Sequence, residues 1–364
     1  MRYLSDFRDA SACAGLIERI RRLAAGAPPM HFMEFCGGHT HAIARHGLRG
    51  LLPDNVRLSS GPGCPVCVSS QGDVDRAVEL AGRDGVILAT FGDMVRVPGS
   101  QGSLQDARAR GADVRVVYSP ADALRLAAEN LDREVAFLGV GFETTAPTVA
   151  ATLLGARQRG LANFSVLSLH KLTPPAMRAV LDAGEVRLDG VIGPGHVSTI
   201  IGADAWRFLP EDYGLGCAVA GFEPSDVLMA VEELVGMVAR GEPAVANCYR
   251  RSASDRGNAQ AQALMDRIFE PVDTEWRGLG MVPASGLRLR AEWSDMDAAV
   301  RFALEARPSP EPPGCQCGAV LRGALVPTEC PLFGTACTPE SPVGPCMVSS
   351  EGACAAYYHA EDGG

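Results

Sequence analysis

No stretch of the 364 residues approaches the roughly 18 uninterrupted apolar residues of a membrane-spanning helix. Nor is there a Lys/Arg run long enough to track a phosphate backbone. With a formal net charge of -10, nucleic acid is a poor partner for this chain. Neither a G-x-G-x-x-G nor a P-loop signature occurs, so no nucleotide site is read. The opening segment, MRYLSDFRDASACAGLIERIRRLAAG, lacks the continuous apolar centre of a signal peptide and reads as an amphipathic helix. The expectation is a soluble cytoplasmic protein with no membrane partner.

Cysteine, by contrast, is abundant. Twelve are present, and cytoplasmic thiols are normally kept reduced, so metal or redox chemistry leads. Cys13, Cys217 and Cys248 are scattered and read as small buried apolar residues. Cys36, Cys64 and Cys67 lie near the N-terminus. The other six, Cys315, Cys317, Cys330, Cys337, Cys346 and Cys354, crowd into a Pro/Gly-rich C-terminal segment.

Between about residues 55 and 240, short apolar runs alternate with helical patterns. VRLSS (56–60), GVILATF (85–91), VRVVYS (114–119), EVAFLGVG (134–141), FSVLSL (164–169), DGVIG (189–193) and CAVAG (217–221) read as strands of parallel sheets covered by helices. Ser119 caps a helix that opens on Pro120. The series repeats: DGVI at 84–87 returns at 189–192, and SPADALRLAAEN at 119 is matched by EPSDVLMAVEEL at 223. VRLSS with its following helix likewise corresponds to FSVLSL with its own. The predicted fold class is α/β, with two similar parallel-sheet domains from a duplication and a third, mostly helical and loop domain. The boundaries drawn are 50–140 for the first α/β domain and 141–240 for the second. Residues 1–49 and 241–364 make the third, with the cysteine-rich segment at 315–358.

Three cysteine groups carry candidate chemistry. At the C-terminus the gaps from Cys315 run 2, 13, 7, 9 and 8 residues. Structural zinc uses two close pairs, each about two to four residues apart, and no such double pair exists here. Wide spacing on loops suits one iron–sulfur cluster, with zinc and disulfides as the alternatives. The pair Cys64 and Cys67, in GPGCPVC, follows a strand and precedes a helix, where amides and dipole favour a thiolate. Dithiol redox chemistry and half a zinc site both fit it. In FMEFCGGHTHAIARHG (32–47), Gly37 and Gly38 leave Cys36 accessible, and His39 and His41 follow near the start of a helix that Gly47 ends. An imidazolium or the helix N-terminus would favour the Cys36 thiolate, and Glu34 would orient a histidine or relay a proton. A buried thiol among loop histidines is the plainer alternative. Glu143, Thr144, Thr145 and His196 sit in turns at the sheets' C-terminal edges, where open α/β folds bind ligands, or serve there as caps.

FCGGHTH, GPGCPVC, GFETTAPT and CPLFGTACTPESPVGPCMVSSEGACAAYY together resemble the HypD family of nickel–iron hydrogenase maturation factors, from about residue 30 to the C-terminus. The resemblance implies a 4Fe–4S cluster and two similar α/β domains plus a third. It also implies an assembly scaffold for the Fe(CN)2(CO) group rather than an enzyme with free substrate turnover. That scaffold holds iron jointly with a HypC-type chaperone and accepts cyanide, as a protein thiocyanate, from a HypE-type partner. The completed group passes to the hydrogenase large subunit. Carried onto this sequence, Cys36 matches the iron-holding cysteine, and Cys64 and Cys67 match a dithiol that exchanges electrons with the cluster. His39 would tune or protonate near Cys36. The cluster set is Cys315, Cys330, Cys337 and Cys354, with Cys317 and Cys346 as substitutes. Two other readings compete. One is an iron–sulfur thiol-disulfide oxidoreductase acting on other substrates. The other is a zinc-binding structural protein using Cys36, His39, Cys64 and Cys67.

Overall fold

The computed structural model describes residues 6–361. Its strands are β1 (Met30–Glu34), β2 (Val56–Ser60), β3 (Val86–Thr90), β4 (Asp113–Val116), β5 (Glu134–Gly141) and β6 (Phe164–His170). They continue with β7 (Gly190–Pro194), β8 (Gly216–Ala220), β9 (Val245–Asn247), β10 (Phe269–Trp276) and β11 (Gly280–Leu289). Two parallel sheets result, in the orders β2-β1-β7-β8-β9 and β4-β3-β5-β6, and β10 pairs with β11 as an antiparallel hairpin. β3, β7 and β8 are buried along their whole length, as a parallel sheet with helices on both faces requires.

The strands expected between 56 and 221 all form, and the fold class is α/β. The amphipathic helix at the N-terminus runs Ala10–Ala24 and buries Leu16, Ile17 and Ile20. Ser119 caps the helix Pro120–Glu129 as expected, its Oγ accepting from the Asp122 amide.

The sheets do not follow a division at residues 140 and 240. β5 pairs with β3 and carries β6 on its other edge, while β1 pairs with β7, from the far side of the sequence, and carries β2. Matching β1 to β5, β2 to β6, β3 to β7 and β4 to β8 makes the sheet orders equivalent: 2-1-7-8 in one, 6-5-3-4 in the other. Each sheet thus takes its first two strands from one repeat and its last two from the other. The chain crosses between sheets twice, through residues 61–85 and again through 171–189. The first crossover contains Cys64 and Cys67, and the second begins with Lys171.

Two further findings concern the segments assigned to the third domain. Residues 30–45 belong to the five-stranded sheet and its first helix. Beyond residue 241 the segment is mostly helix and loop, as expected, but it also carries the hairpin of β10 and β11, which was not foreseen. Phe269 and Trp276 turn inward while charged residues between them face out, an alternation that Pro271 obscures. No helix among the described residues is long and apolar enough to cross a membrane.

Candidate functional site

Cys36 stands at the C-terminal edge of the five-stranded sheet, just beyond β1, and begins the helix Gly37–Arg45. Its loop is fixed from beneath by Glu34. That carboxyl accepts the Cys36 amide at 2.9 Å and also accepts from the Thr40 hydroxyl. Glu34 therefore shapes the cysteine loop and contacts neither histidine. Burial pushes its pKa up to about 7, against the pull of those hydrogen bonds.

The loop of the dithiol lies directly against Cys36. Gly37 donates its amide to Gly63 O at 2.9 Å, and Gly61 donates to Glu34 O at 2.8 Å. A Cβ on Gly63 would fall 2.2 Å from the Cys36 nitrogen, so only glycine permits this approach. Cys64 and Cys67 are joined as a disulfide and both are buried. The Cys67 amide donates to Cys64 Sγ at 3.2 Å within the short helix Pro65–Val68.

The C-terminal segment closes the site from a third side. Cys67 Sγ lies 4.0 Å from Pro345 O, one residue before Cys346. The helix Ala353–Glu361 packs on Gly37–Arg45, and the Arg49 guanidinium lies 4.6 Å over the Tyr357 ring. Glu351 faces the Cys36 loop. Cys36 itself is half-buried; desolvation, then Glu351 and Glu34, push its thiol up to about 12, while the Gly38 and His39 amides pull the other way. Without a cation Cys36 is a protonated thiol at neutral pH, and thus a poor nucleophile.

His39 does not supply that cation. Its Nε2 donates to the carbonyls of Ala220 and Gly221, at 3.2 and 3.0 Å, and its ring stacks on Phe222. Burial brings its pKa down to about 4, so the imidazole is neutral and anchors the helix to the β8 loop. His196 stacks on the other side of Phe222 at 3.9 Å, and His41 is exposed. Phe222 was missed by sequence reasoning, which had no signal that β8 would end beside β1.

Six C-terminal cysteines, Cys315, Cys317, Cys330, Cys337, Cys346 and Cys354, line one small cavity. Cys317 and Cys346, taken as the spare pair, have sulfurs 2.6 Å apart. A Cβ on Gly344 would lie 2.6 Å from Cys315 Sγ, and the Val343 amide donates to Cys337 Sγ at 3.3 Å. Amide donors to sulfur and a glycine that admits thiols closely are what a thiolate-held cluster needs, so the donor set fits one. Among the described residues no three His, Cys, Asp or Glu side chains converge as a site for a single ion. Of the three scattered cysteines, Cys217 is buried as expected, whereas Cys13 and Cys248 are partly exposed.

Glu143 belongs to the other sheet. It is buried beyond β5 and accepts from Thr173 N at 2.8 Å and Thr173 Oγ1 at 2.9 Å, locking the second crossover. Thr144 and Thr145 are half-buried turn residues beside it. Burial pushes the Glu143 pKa up to about 7. Because the unfolded chain ionises near the ordinary value while the folded one keeps its proton, stability should fall as pH rises between about 4.5 and 7. That slope is about 1.4 kcal/mol per pH unit for one such group. Glu143→Gln should lower the measured slope by that amount while the share of Glu34 remains, as read from denaturation midpoints across this range. An unchanged slope would place the titration elsewhere.

Fold and site define a two-sheet α/β protein that gathers a lone cysteine, a disulfide pair and a six-cysteine cavity into one region. The HypD family model, described as "Hydrogenase formation hypA family", matches residues 11–361. The chain is 52% identical to the hydrogenase maturation factor HypD of Azotobacter vinelandii, covering 98% of this chain and 96% of that one. It is 50% identical to HypD2 of Bradyrhizobium diazoefficiens, with the same coverage, and 46% identical to HypD of Escherichia coli, covering 98% of both. The chain belongs to the HypD family of hydrogenase maturation factors.

Proposed function

We propose that this chain is the scaffold on which the Fe(CN)2(CO) group of nickel–iron hydrogenases is assembled. The observation that carries the reading is the contact of three thiol groups along one path: Cys36 against the Gly63 loop, Cys67 against Pro345, and Cys346 among the cavity thiols. Iron is the cargo, held by Cys36 jointly with a HypC-type chaperone. A soft thiolate suits iron carrying strong-field ligands, and two nearby carboxylates make the loop attractive to a cation.

Cyanide comes from a HypE-type partner as a thiocyanate, and its release consumes two electrons. The reduced Cys64–Cys67 pair supplies them. The sulfur–carbon bond of R–S–CN breaks, R–SH and HCN form, and the two thiols become the disulfide found here. Cys315, Cys330, Cys337 and Cys354 would hold a 4Fe–4S cluster, whose chemistry is one-electron storage. Cys317 and Cys346 remain as a close pair between that set and the Cys67 loop.

The rival readings fare worse on specific grounds. A general oxidoreductase does not need a lone cysteine beside its dithiol, whereas here the Gly63 loop of the pair is built directly against Cys36. The zinc site requires two free thiols at Cys64 and Cys67, but these are bonded to each other. Replacing Cys64 and Cys67 together with serine should leave iron and labile sulfide at wild-type levels while hydrogenase maturation stops. Full maturation by the double variant would remove the dithiol from the account.

A further inference from the structure

Arg277 is a buried charge that the proposed chemistry does not yet use. It is 2% exposed. Nε donates to Ser69 O at 3.0 Å, Nη2 to Gln71 Oε1 at 3.2 Å, and the backbone amide to Val68 O at 2.9 Å. Nη1 has no partner. The other buried cation, Lys171, has a carboxylate beside it in Asp73; Arg277 touches only neutral groups. Burying a cation without a counter-charge costs several kcal/mol, which an anion nearby would offset.

The surroundings show where that anion belongs. Arg277 opens the turn between β10 and β11, and a Cβ on the next residue, Gly278, would lie 2.5 Å from the Gly318 Cα. The turn is therefore pressed against the segment that begins with Cys315 and Cys317. On its other side it grips Val68, Ser69 and Gln71, which directly follow Cys67. Arg277 sits between the cysteine cavity and the disulfide loop.

We propose that Arg277 is the counter-charge of the anionic centre held by the C-terminal thiolates, and that it raises the reduction potential of that centre. This rests on the cluster reading above. Four thiolates outweigh the positive charge of a 4Fe–4S core, so the group is an anion that grows more negative on reduction. A fixed cation in a buried setting favours the reduced form.

The test uses the full chain reconstituted with iron and sulfide, assayed first for both, then titrated reductively with the cluster followed by absorbance and electron paramagnetic resonance. Arg277→Gln keeps a side chain able to bond Ser69 but removes the charge. Its reduction equilibrium should be about tenfold less favourable than wild type, or 59 mV for a one-electron couple. Arg277→Lys should stay within about threefold of wild type, because the charge remains while the guanidinium fork is lost. A glutamine variant with a full cluster and an unchanged potential would reduce Arg277 to a structural tie. If the glutamine variant sheds its cluster, the lysine variant decides: a potential near wild type supports the counter-charge, and a tenfold loss overturns it. A wild-type protein that takes up neither iron nor sulfide would overturn the cluster reading itself, and this inference with it.

Discussion

Cys36→Ala is expected to abolish hydrogenase maturation while the visible absorption of the cluster stays at its wild-type level. The two outcomes separate because the sites use different parts of the chain. Cys36 projects from the end of β1, whereas the cavity thiols all come from residues 315–354. Removing one sulfur at the sheet edge leaves the Glu34 hydrogen bonds to the loop amide and to Thr40 in place, so the fold should tolerate it. Cys36→Ser should fail as well, since a hydroxyl is a hard, weakly acidic donor and holds such iron poorly. Maturation is read from hydrogenase activity in cells carrying each variant as their sole copy. If Cys36→Ala matures hydrogenase normally, the iron-holding role is wrong.

The second large effect is on stability. Lys171 is the single lysine among 33 basic residues, and it is 1% exposed. Its Nζ bonds Asp73 Oδ2 at 3.2 Å and Glu275 O at 2.7 Å, tying the second crossover to the helix of the first and to the hairpin. Burial alone would raise the Asp73 pKa, but Lys171 and Arg76 outweigh it and hold the carboxylate below its usual value. Lys171→Met should cost about 1–3 kcal/mol, because it takes the donor from the buried Glu275 carbonyl and leaves Asp73 with Arg76 as its remaining cation. Lys171→Met with Asp73→Asn should recover little of that loss, since Arg76 then loses its own partner. Denaturant midpoints of the single and double variants measure both. A cost below about 1 kcal/mol for Lys171→Met would show that packing, not this ion pair, joins the crossovers.

β3, β5, β7 and β8 were legible because each is an almost wholly apolar run bounded by turn residues, as burial on both faces demands. β1 was not, because MHFME carries a histidine and a glutamate, and Glu34 is buried only through the loop it organises. β9 has three residues, too few for a pattern. The repeat was visible in DGVI and in the two Pro-opened helices, yet the exchange of strands between copies was not. Local sequence encodes that a strand forms, and long-range packing decides its neighbour. The same distinction holds at the site. Cysteines announce themselves by residue type and spacing, so Cys36, Cys64, Cys67 and the C-terminal six could be named from sequence. His39 has a type that suggests chemistry, but its partners lie 181 and 182 residues away, and they make it an anchor. Arg277 and Phe222 carried no signal for the same reason.

The central claim is that Cys36 carries the iron that receives cyanide and carbon monoxide. The direct measurement is an infrared spectrum of the chain purified together with its small chaperone, in the region of metal-bound cyanide and carbonyl stretches. Wild-type complex should show bands of both ligands, shifted by isotopic cyanide. Cys36→Ala complex should lack them while keeping its iron–sulfur absorption. Bands that persist unchanged in the alanine variant would contradict the account.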